Sequence, residues 1–355
     1  MQNDTTSKRG GPRILIGQLS PIGDAILTLP VACALRCEFP DAYIGWVVEK
    51  LAAPIVCGHP AIDAVVQLPQ KWYRSAGAIR NATAKLRPHE FEIAIDCQGA
   101  TKSALAGRIS GAKQRIGYAG RYSNPIGRWM NNVRVEPAFR HLTDRSLELL
   151  TPLGIHSPDI RWDLPIPETA ALWANRWRRS MKHPRLAVLN PGGTWRSKLW
   201  EVDRFASTAK YLRDRYQYKS VVVWGSESEK EMALRIVARS DDASRLAPDT
   251  DLYHLAALIR TANLYISGDT GPLHMAVAVG TPAIGLYGAT RPGDSGPYGQ
   301  IALQRAYERG SHQHRRRADN SAMRAIGVEH VCQAIDEMEA RAAMGQRAAM
   351  GQRAA

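Results

Sequence analysis

The chain has 355 residues, which at roughly 150 residues per domain suggests two domains. Hydrophobic residues make up 45% and charged residues 23%, which excludes wholesale disorder, and the 29 Gly and 21 Pro follow no Gly-X-Y period, which excludes a collagen-like chain. The net charge is +14, and no apolar run reaches the roughly 18 residues of a membrane helix. The first residues, MQNDTTSKRGGP, are polar and lack a signal-peptide core, so a cytoplasmic chain is expected.

In chain order, RILIGQ (13–18) reads as a buried first strand, and residues from Asp24 onward carry apolar side chains at helical spacing. YIGWVV (43–48), AVVQL (64–68) and FEIAID (91–96) read as further strands with helical stretches between several of them. Strands alternating with helices imply parallel βαβ units. From about Pro158 to Pro184 the pattern gives way to a linker and the first helix of a second unit, ALWANRWRRSM. It restarts with LAVLN (186–190), SVVVW (220–224), LYIS (264–267) and AIGLY (283–287), each followed by a turn or loop that contains glycine. Residues 308–320, ERGSHQHRRRADN, read as a polar loop, and VEHVCQAIDEMEA (328–340) as the last amphipathic helix. The closing MGQRAA repeats read as a helical extension or a tail without chemistry of its own.

Cys33, Cys37, Cys57, Cys97 and Cys332 are odd in number and include no C-x-x-C, so reduced, buried thiols are expected and a zinc site is not. Lys102 to Arg145 holds nine Lys/Arg opposed only by Glu136 and Asp144. Such a field attracts nucleic acid, an anionic membrane or a phosphorylated substrate; its plain alternative is a solvated face. Interleaved aromatics and recognition motifs are lacking, so nucleic acid is not an expected partner.

In open parallel sheets, ligands bind beyond the C-terminal strand ends. The first such loop is QLSPIGD (18–24), where Asp24 is either a helix N-cap or a carboxylate placed as a general base. It lacks G-x-G-x-x-G, which weakens a nicotinamide-dependent dehydrogenase. The second is NPGGTWRSKLW (190–200): backbone N–H groups with a Thr and a Lys four residues apart suit phosphate oxygens, and the alternative is an ordinary turn with an exposed Lys. The third is SGDTGPLH (267–274), with Pro272 placed for a helix first turn whose N-terminus favours an anion such as a diphosphate. Asp249-Thr250-Asp251 is formally a metal-binding D-x-D, but a cap on the helix LYHLAALIRTA is favoured, with Thr250 or Asp251 as the capping residue. His312 and His314 read as part of the solvated loop.

Together, ILIGQLSPIGDAILTLP, IDCQGATKSAL, RHLTDR, NPGGTWRSKLWEVDRF, VVVWGSESEKEMA and SGDTGPLHMAVAVGTPAIGLYG occur in the order found in glycosyltransferase family 9, the ADP-heptose:lipopolysaccharide heptosyltransferases, which the chain resembles from about 13 to 340. The resemblance implies an α/β chain of GT-B architecture, two Rossmann-like doubly wound parallel-sheet domains facing across a cleft. An N-terminal acceptor-binding domain would span 12–165 and a C-terminal nucleotide-sugar-binding domain 166–340, with 341–355 a repetitive tail. It implies inverting, metal-independent transfer of heptose from ADP-heptose to a Kdo or heptose hydroxyl of the lipopolysaccharide inner core, with no cofactor. Asp24 falls on the catalytic base and Lys198 on the lysine at the donor phosphates. Gly193, Thr194, Glu229, Thr250, Asp269, Thr270, Gly271 and His274 fall on the donor site, with Glu229 near the ribose and Thr250 at the adenine. Ser20, Gly23, Lys102, His141 and Arg145 fall on acceptor positions, with Lys71 and Arg74 as companions. The basic run would also favour peripheral contact with the anionic inner membrane. A transferase for another nucleotide-linked sugar and a non-catalytic nucleotide-sugar-binding relic are the alternatives. HQHRRRADNSAM stands where some relatives carry cysteines, and Gly192-Gly193 replaces a hydroxyl-bearing residue.

Overall fold

The computed structural model describes residues 10–353, with side chains to residue 344. Residues 1–9, which include most of the polar N-terminal stretch, and residues 354–355 lie outside that range. The chain divides into two compact units, Met1–Pro165 and Ile166–Ala355.

The first unit contains a parallel sheet of β1 (Arg13–Gly17), β2 (Tyr43–Glu49), β3 (Ala64–Leu68), β4 (Ile93–Asp96), β5 (Gln114–Tyr118) and β6 (Val133–Val135), in the order β3-β2-β1-β4-β5-β6. The second contains β7 (Arg185–Asn190), β8 (Tyr218–Val222), β9 (Ser244–Leu246), β10 (Leu264–Gly268), β11 (Ala283–Leu286) and β12 (Ile301–Leu303), in the order β12-β11-β10-β7-β8-β9. Numbered within its own unit, each sheet has the doubly wound order 3-2-1-4-5-6. All ten strand pairings are parallel.

The central strands form because both their faces are buried, which calls for continuous apolar runs. Ile14, Leu15 and Ile16 of β1, and Leu186 to Leu189 of β7, are at most 1% exposed. The helix Ile22–Glu38 that follows β1 is buried along Gly23 and Ala25 to Leu35, and Thr143 Oγ1 donates to Leu27 O (2.9 Å), tying to it the helix Leu142–Glu148. β5, β6, β9 and β12 are not evident from apolar runs. β6, β9 and β12 are three-residue strands at or next to solvent, with Arg134 and Arg245 at the centre of two of them. β5 opens on Gln114-Arg115, whose side chains are only partly buried.

Two expectations need correction. Residues 312–317 form a helix, His312–Arg317, where a loop was expected; Ser311 caps it by accepting from His314 N (3.2 Å). A polar helix with no apolar stripe gives no periodic signal, and only its Ser cap is visible in the sequence. All five cysteines are free, but only Cys33 and Cys97 are buried; Cys57 and Cys332 are partly buried and Cys37 is exposed. The last helix, Val328–Arg353, continues through most of the repeats.

Candidate active site

A doubly wound sheet opens a crevice where strand order reverses, between its first and fourth strands. In the first unit that point lies between β1 and β4, and in the second between β7 and β10. Ser20, Gly23 and Asp24 follow β1; Lys71 and Arg74 follow β3; Lys102 follows β4; His141 and Arg145 follow β6. Thr194 and Lys198 follow β7, Glu229 follows β8, Thr250 follows β9, and Asp269 to His274 follow β10. Every candidate therefore lies in a segment that leaves the C-terminal end of a strand.

In the first unit, the loop after β1 is fixed by amide side chains. Gln98 Nε2 (2.8 Å) and Gln18 Nε2 (3.1 Å) both donate to Ser20 O, and Leu19 N donates to Gln98 Oε1 (3.2 Å). Lys102 Nζ donates to Ser20 Oγ (2.7 Å) and pairs with Glu49 Oε1 (2.6 Å), the last residue of β2. Ser20 and Lys102 thus meet. Glu49, which motif reading did not single out, holds the ammonium in place, and a charge that ends a buried strand was its only signal.

Asp24 is not the N-cap of its helix. Pro21 occupies that position, and Asp24 stands half-buried in the first turn, where a carboxylate is favoured by the helix dipole. Lys71 and Arg74 are exposed on either side of the buried Trp72, and no hydrogen bond or ion pair among the described residues joins them to Lys102. His141 caps the helix Leu142–Glu148 by accepting from Thr143 N at Nδ1 (3.3 Å). Arg145 lies over the Tyr122 ring, 4.8 Å from its centroid, and donates to Arg140 O (2.5 Å).

Asp96, at the end of β4, is buried beneath this loop and was not visible as a candidate. It accepts from Gly99 N (2.9 Å) and Asn131 Nδ2 (3.1 Å), and burial pushes its carboxyl up to about 6 against those bonds. Between its unfolded value and this raised one the native state holds the extra proton, so stability falls as pH rises through that window. Moving from about pH 7.5 to about pH 4 should therefore shift the stability difference toward wild type, relative to Asp96→Asn, by on the order of 3 kcal/mol. Denaturant unfolding at both pH values checks this; a difference independent of pH would contradict it.

In the second unit, the turn after β7 is fixed from three sides. Asn190 accepts from Gly192 N at Oδ1 (3.0 Å) and donates from Nδ2 to Tyr265 OH (3.0 Å) and Thr270 Oγ1 (3.4 Å). Glu229 accepts from Gly193 N (3.2 Å) at one oxygen and from Gly225 N (2.8 Å) at the other. A Cβ on Gly192 would lie 2.3 Å from Glu229 Oε1, so a side chain here would displace the Glu229 carboxylate from its place at the turn. Thr194 is exposed at the end of the turn.

Lys198 closes the short helix Arg196–Lys198. Its Nζ is 2.6 Å from Asp269 Oδ2 and 4.4 Å from the Trp195 ring centroid. A Cβ on Gly268 would lie 2.8 Å from Lys198 O, so only glycine lets this loop approach β10 so closely. The helix His312–Arg317 braces the loop: His312 packs edge-on against Trp195 (centroids 4.9 Å), and Arg315 O accepts from Ser197 Oγ (2.5 Å).

Asp269 is 8% exposed, accepts from Thr290 Oγ1 (2.7 Å), and has His274 Nε2 at 3.6 Å from its Oδ1. Burial alone would raise this carboxyl, but the His274 ring and the Lys198 ammonium hold it well below the usual carboxylate range. The helix Gly271–Ala278 starts beside it, with Thr270 at the N-cap. His274 is 3% exposed, and its Nδ1 has no partner among the described residues. The helix N-terminus, a partly buried ammonium and an unsatisfied imidazole nitrogen together suit an anionic ligand with several oxygens.

Asp251, not Thr250, caps the helix Leu252–Arg260 by accepting from His254 N (2.8 Å). Among the described residues no group of three His, Cys, Asp or Glu side chains could hold a metal ion. No described helix is long and apolar enough to cross a membrane.

Comparison with known proteins places this geometry in a family. Residues 79–323 match the model of glycosyltransferase family 9 (heptosyltransferase). Lipopolysaccharide heptosyltransferase 1 of Pseudomonas aeruginosa is 27% identical, over 81% of this chain and 82% of the relative. Lipopolysaccharide heptosyltransferase 3 of Escherichia coli K12 is 29% identical, over 76% and 80%. A family 9 glycosyltransferase from Veillonella parvula superposes with a TM-score of 0.77 at 23% identity, covering 92% of this chain and 96% of that one. The E. coli heptosyltransferase WaaC with ADP superposes at 0.72 and 24% identity, over 94% and 99%. These likenesses support the GT-B class for the two doubly wound units. The chain is a glycosyltransferase and belongs to family 9, the heptosyltransferases.

Proposed function

We propose that the chain transfers heptose from ADP-heptose, with inversion and without a divalent metal, to a sugar hydroxyl of the lipopolysaccharide inner core. The observation that carries this reading is the Lys198–Asp269–His274 group at the start of the helix Gly271–Ala278, whose ammonium and unpartnered imidazole nitrogen would suit a diphosphate. Relatives named lipopolysaccharide heptosyltransferases support the sugar and acceptor, and E. coli WaaC has been solved with ADP and with ADP-2-deoxy-2-fluoro heptose.

In this mechanism the Asp24 carboxylate takes the proton of the acceptor hydroxyl as its oxygen attacks the heptose C1. The bond from C1 to the diphosphate oxygen breaks on the opposite face, so one displacement inverts the anomeric centre. Lys198 and the helix N-terminus offset the charge that collects on the departing ADP, the work a metal cation does elsewhere. Thr194, Thr270 and Gly271 would contact the phosphates, Glu229 the ribose and Thr250 the adenine. Ser20, Gly23, Lys71, Arg74, Lys102, His141 and Arg145 would receive the anionic core. The acceptor would be met at the cytoplasmic face of the inner membrane.

Two measurements test this. Turnover in EDTA should equal turnover in Mg²⁺, whereas loss in EDTA that Mg²⁺ restores would return the metal role to Asp249 and Asp251. NMR of the product should show an anomeric configuration opposite to that of the donor; retention would exclude the single displacement.

A further inference from the structure

We propose that the flank of the N-terminal unit around Trp129 docks on an anionic phospholipid bilayer. This deepens the membrane contact proposed above by assigning it a face. The short helix Pro125–Met130 buries Gly127 against Ala100 and Ala104 and leaves Ile126 and Trp129 58% and 72% exposed. An indole this open has no packing role in the unit, and an amphipathic ring of this kind suits the headgroup level of a bilayer.

The surroundings are cationic. The Arg108 guanidinium lies over the Trp129 ring, 5.4 Å from its centroid, and Arg115 Nε donates to Met130 O (2.8 Å). Arg108 and Arg115 join Arg87 in lining an open cavity of about 500 Å³. Arg87 Nε donates to Ile109 O (3.0 Å) and Arg115 Nη1 to Ala112 O (2.8 Å), so their fixed partners are neutral carbonyls. The ion pairs described in this unit lie elsewhere, at Arg36–Asp63, Lys102–Glu49 and Arg161–Asp163. Exposed Lys113 adds a further positive charge between Gly111 and Arg115. A soluble phosphate would use the guanidiniums but not Ile126 or Trp129, and a nucleic acid would have no use for Ile126. A bilayer with anionic headgroups uses all of them.

The test is sedimentation of the full chain with vesicles of phosphatidylcholine alone and of phosphatidylcholine mixed with phosphatidylglycerol. Wild type should bind the mixed vesicles, lose them at high salt, and leave the neutral vesicles unbound. Trp129→Ala should weaken binding roughly tenfold, and Trp129→Phe should recover most of it. Arg87→Glu with Arg108→Glu changes four charges at about fivefold each, so a loss of at least roughly 100-fold is expected. These side chains are exposed, so the variants should stay folded, with Arg87→Glu giving up the bond to Ile109 O; melting temperatures check this. Equal binding to both vesicle types would overturn the proposal, as would displacement of the vesicles by duplex DNA at equal phosphate concentration. Wild-type binding by the variants would overturn the face while leaving a membrane contact. None of these readouts depends on the sugar transferred, so failure here is distinct from failure of the proposed reaction.

Discussion

Asp24→Ala should lower turnover by about 10²- to 10⁴-fold while leaving the dissociation constant for ADP within about twofold of wild type. The asymmetry follows from placement. Asp24 stands in the first turn after β1, and the nucleotide candidates all stand in the other unit, after β7 to β10. Asp24 is half-buried in the first turn of its helix, so the melting temperature of the variant is read beside its rate. Asp24→Asn should fall as far, since the amide keeps the size and loses the proton acceptor. Steady-state rates beside calorimetric ADP titration measure both quantities. Near-normal turnover in either variant would remove Asp24 from the mechanism.

Lys198→Ala should lose about 10²- to 10³-fold in kcat/KM, the range for removing one preorganised electrostatic contact to a developing anion. It should also destabilise the second unit, because Asp269 is left buried beside Thr290 and His274 without its ammonium. Breaking a buried pair by removing one partner costs about 3–5 kcal/mol. The carboxyl of Asp269 is depressed, so the stability it contributes is present above its unfolded pKa and is lost only as pH falls through its lower folded value. The stability loss should therefore be constant across ordinary assay pH. Lys198→Met combined with Asp269→Asn separates the two effects: stability should return toward wild type and activity should not. Recovery of both together would mean that Lys198 acts only as the structural partner of Asp269.

How much of this was legible in the sequence depended on what each element buries. β1, β7 and β10 stand at the centres of their sheets, and their apolar runs are plain in RILIG, RLAVLN and LYISG. β6, β9 and β12 are short strands at the sheet edges, which need no such run. The turn motifs located Lys198, Asp269 and His274 because glycine, proline and charge cluster after those central strands. Glu49, Asp96, Asn190 and Thr290 support the sites through contacts more than 20 residues away in sequence or through a strand-end position, and local spacing does not encode such contacts. The helix His312–Arg317 was missed for a related reason. What holds it is Trp195 and Ser197, over a hundred residues earlier, and not a stripe of its own.

The central claim is tested most directly by ADP release from ADP-heptose in EDTA, with and without a delipidated Kdo-containing core saccharide. The expected result is release that depends on the saccharide and saturates with it. Saturable ADP-heptose binding with no release on any core saccharide would contradict catalysis and leave a nucleotide-sugar-binding protein, and absence of ADP-heptose binding would contradict the donor itself.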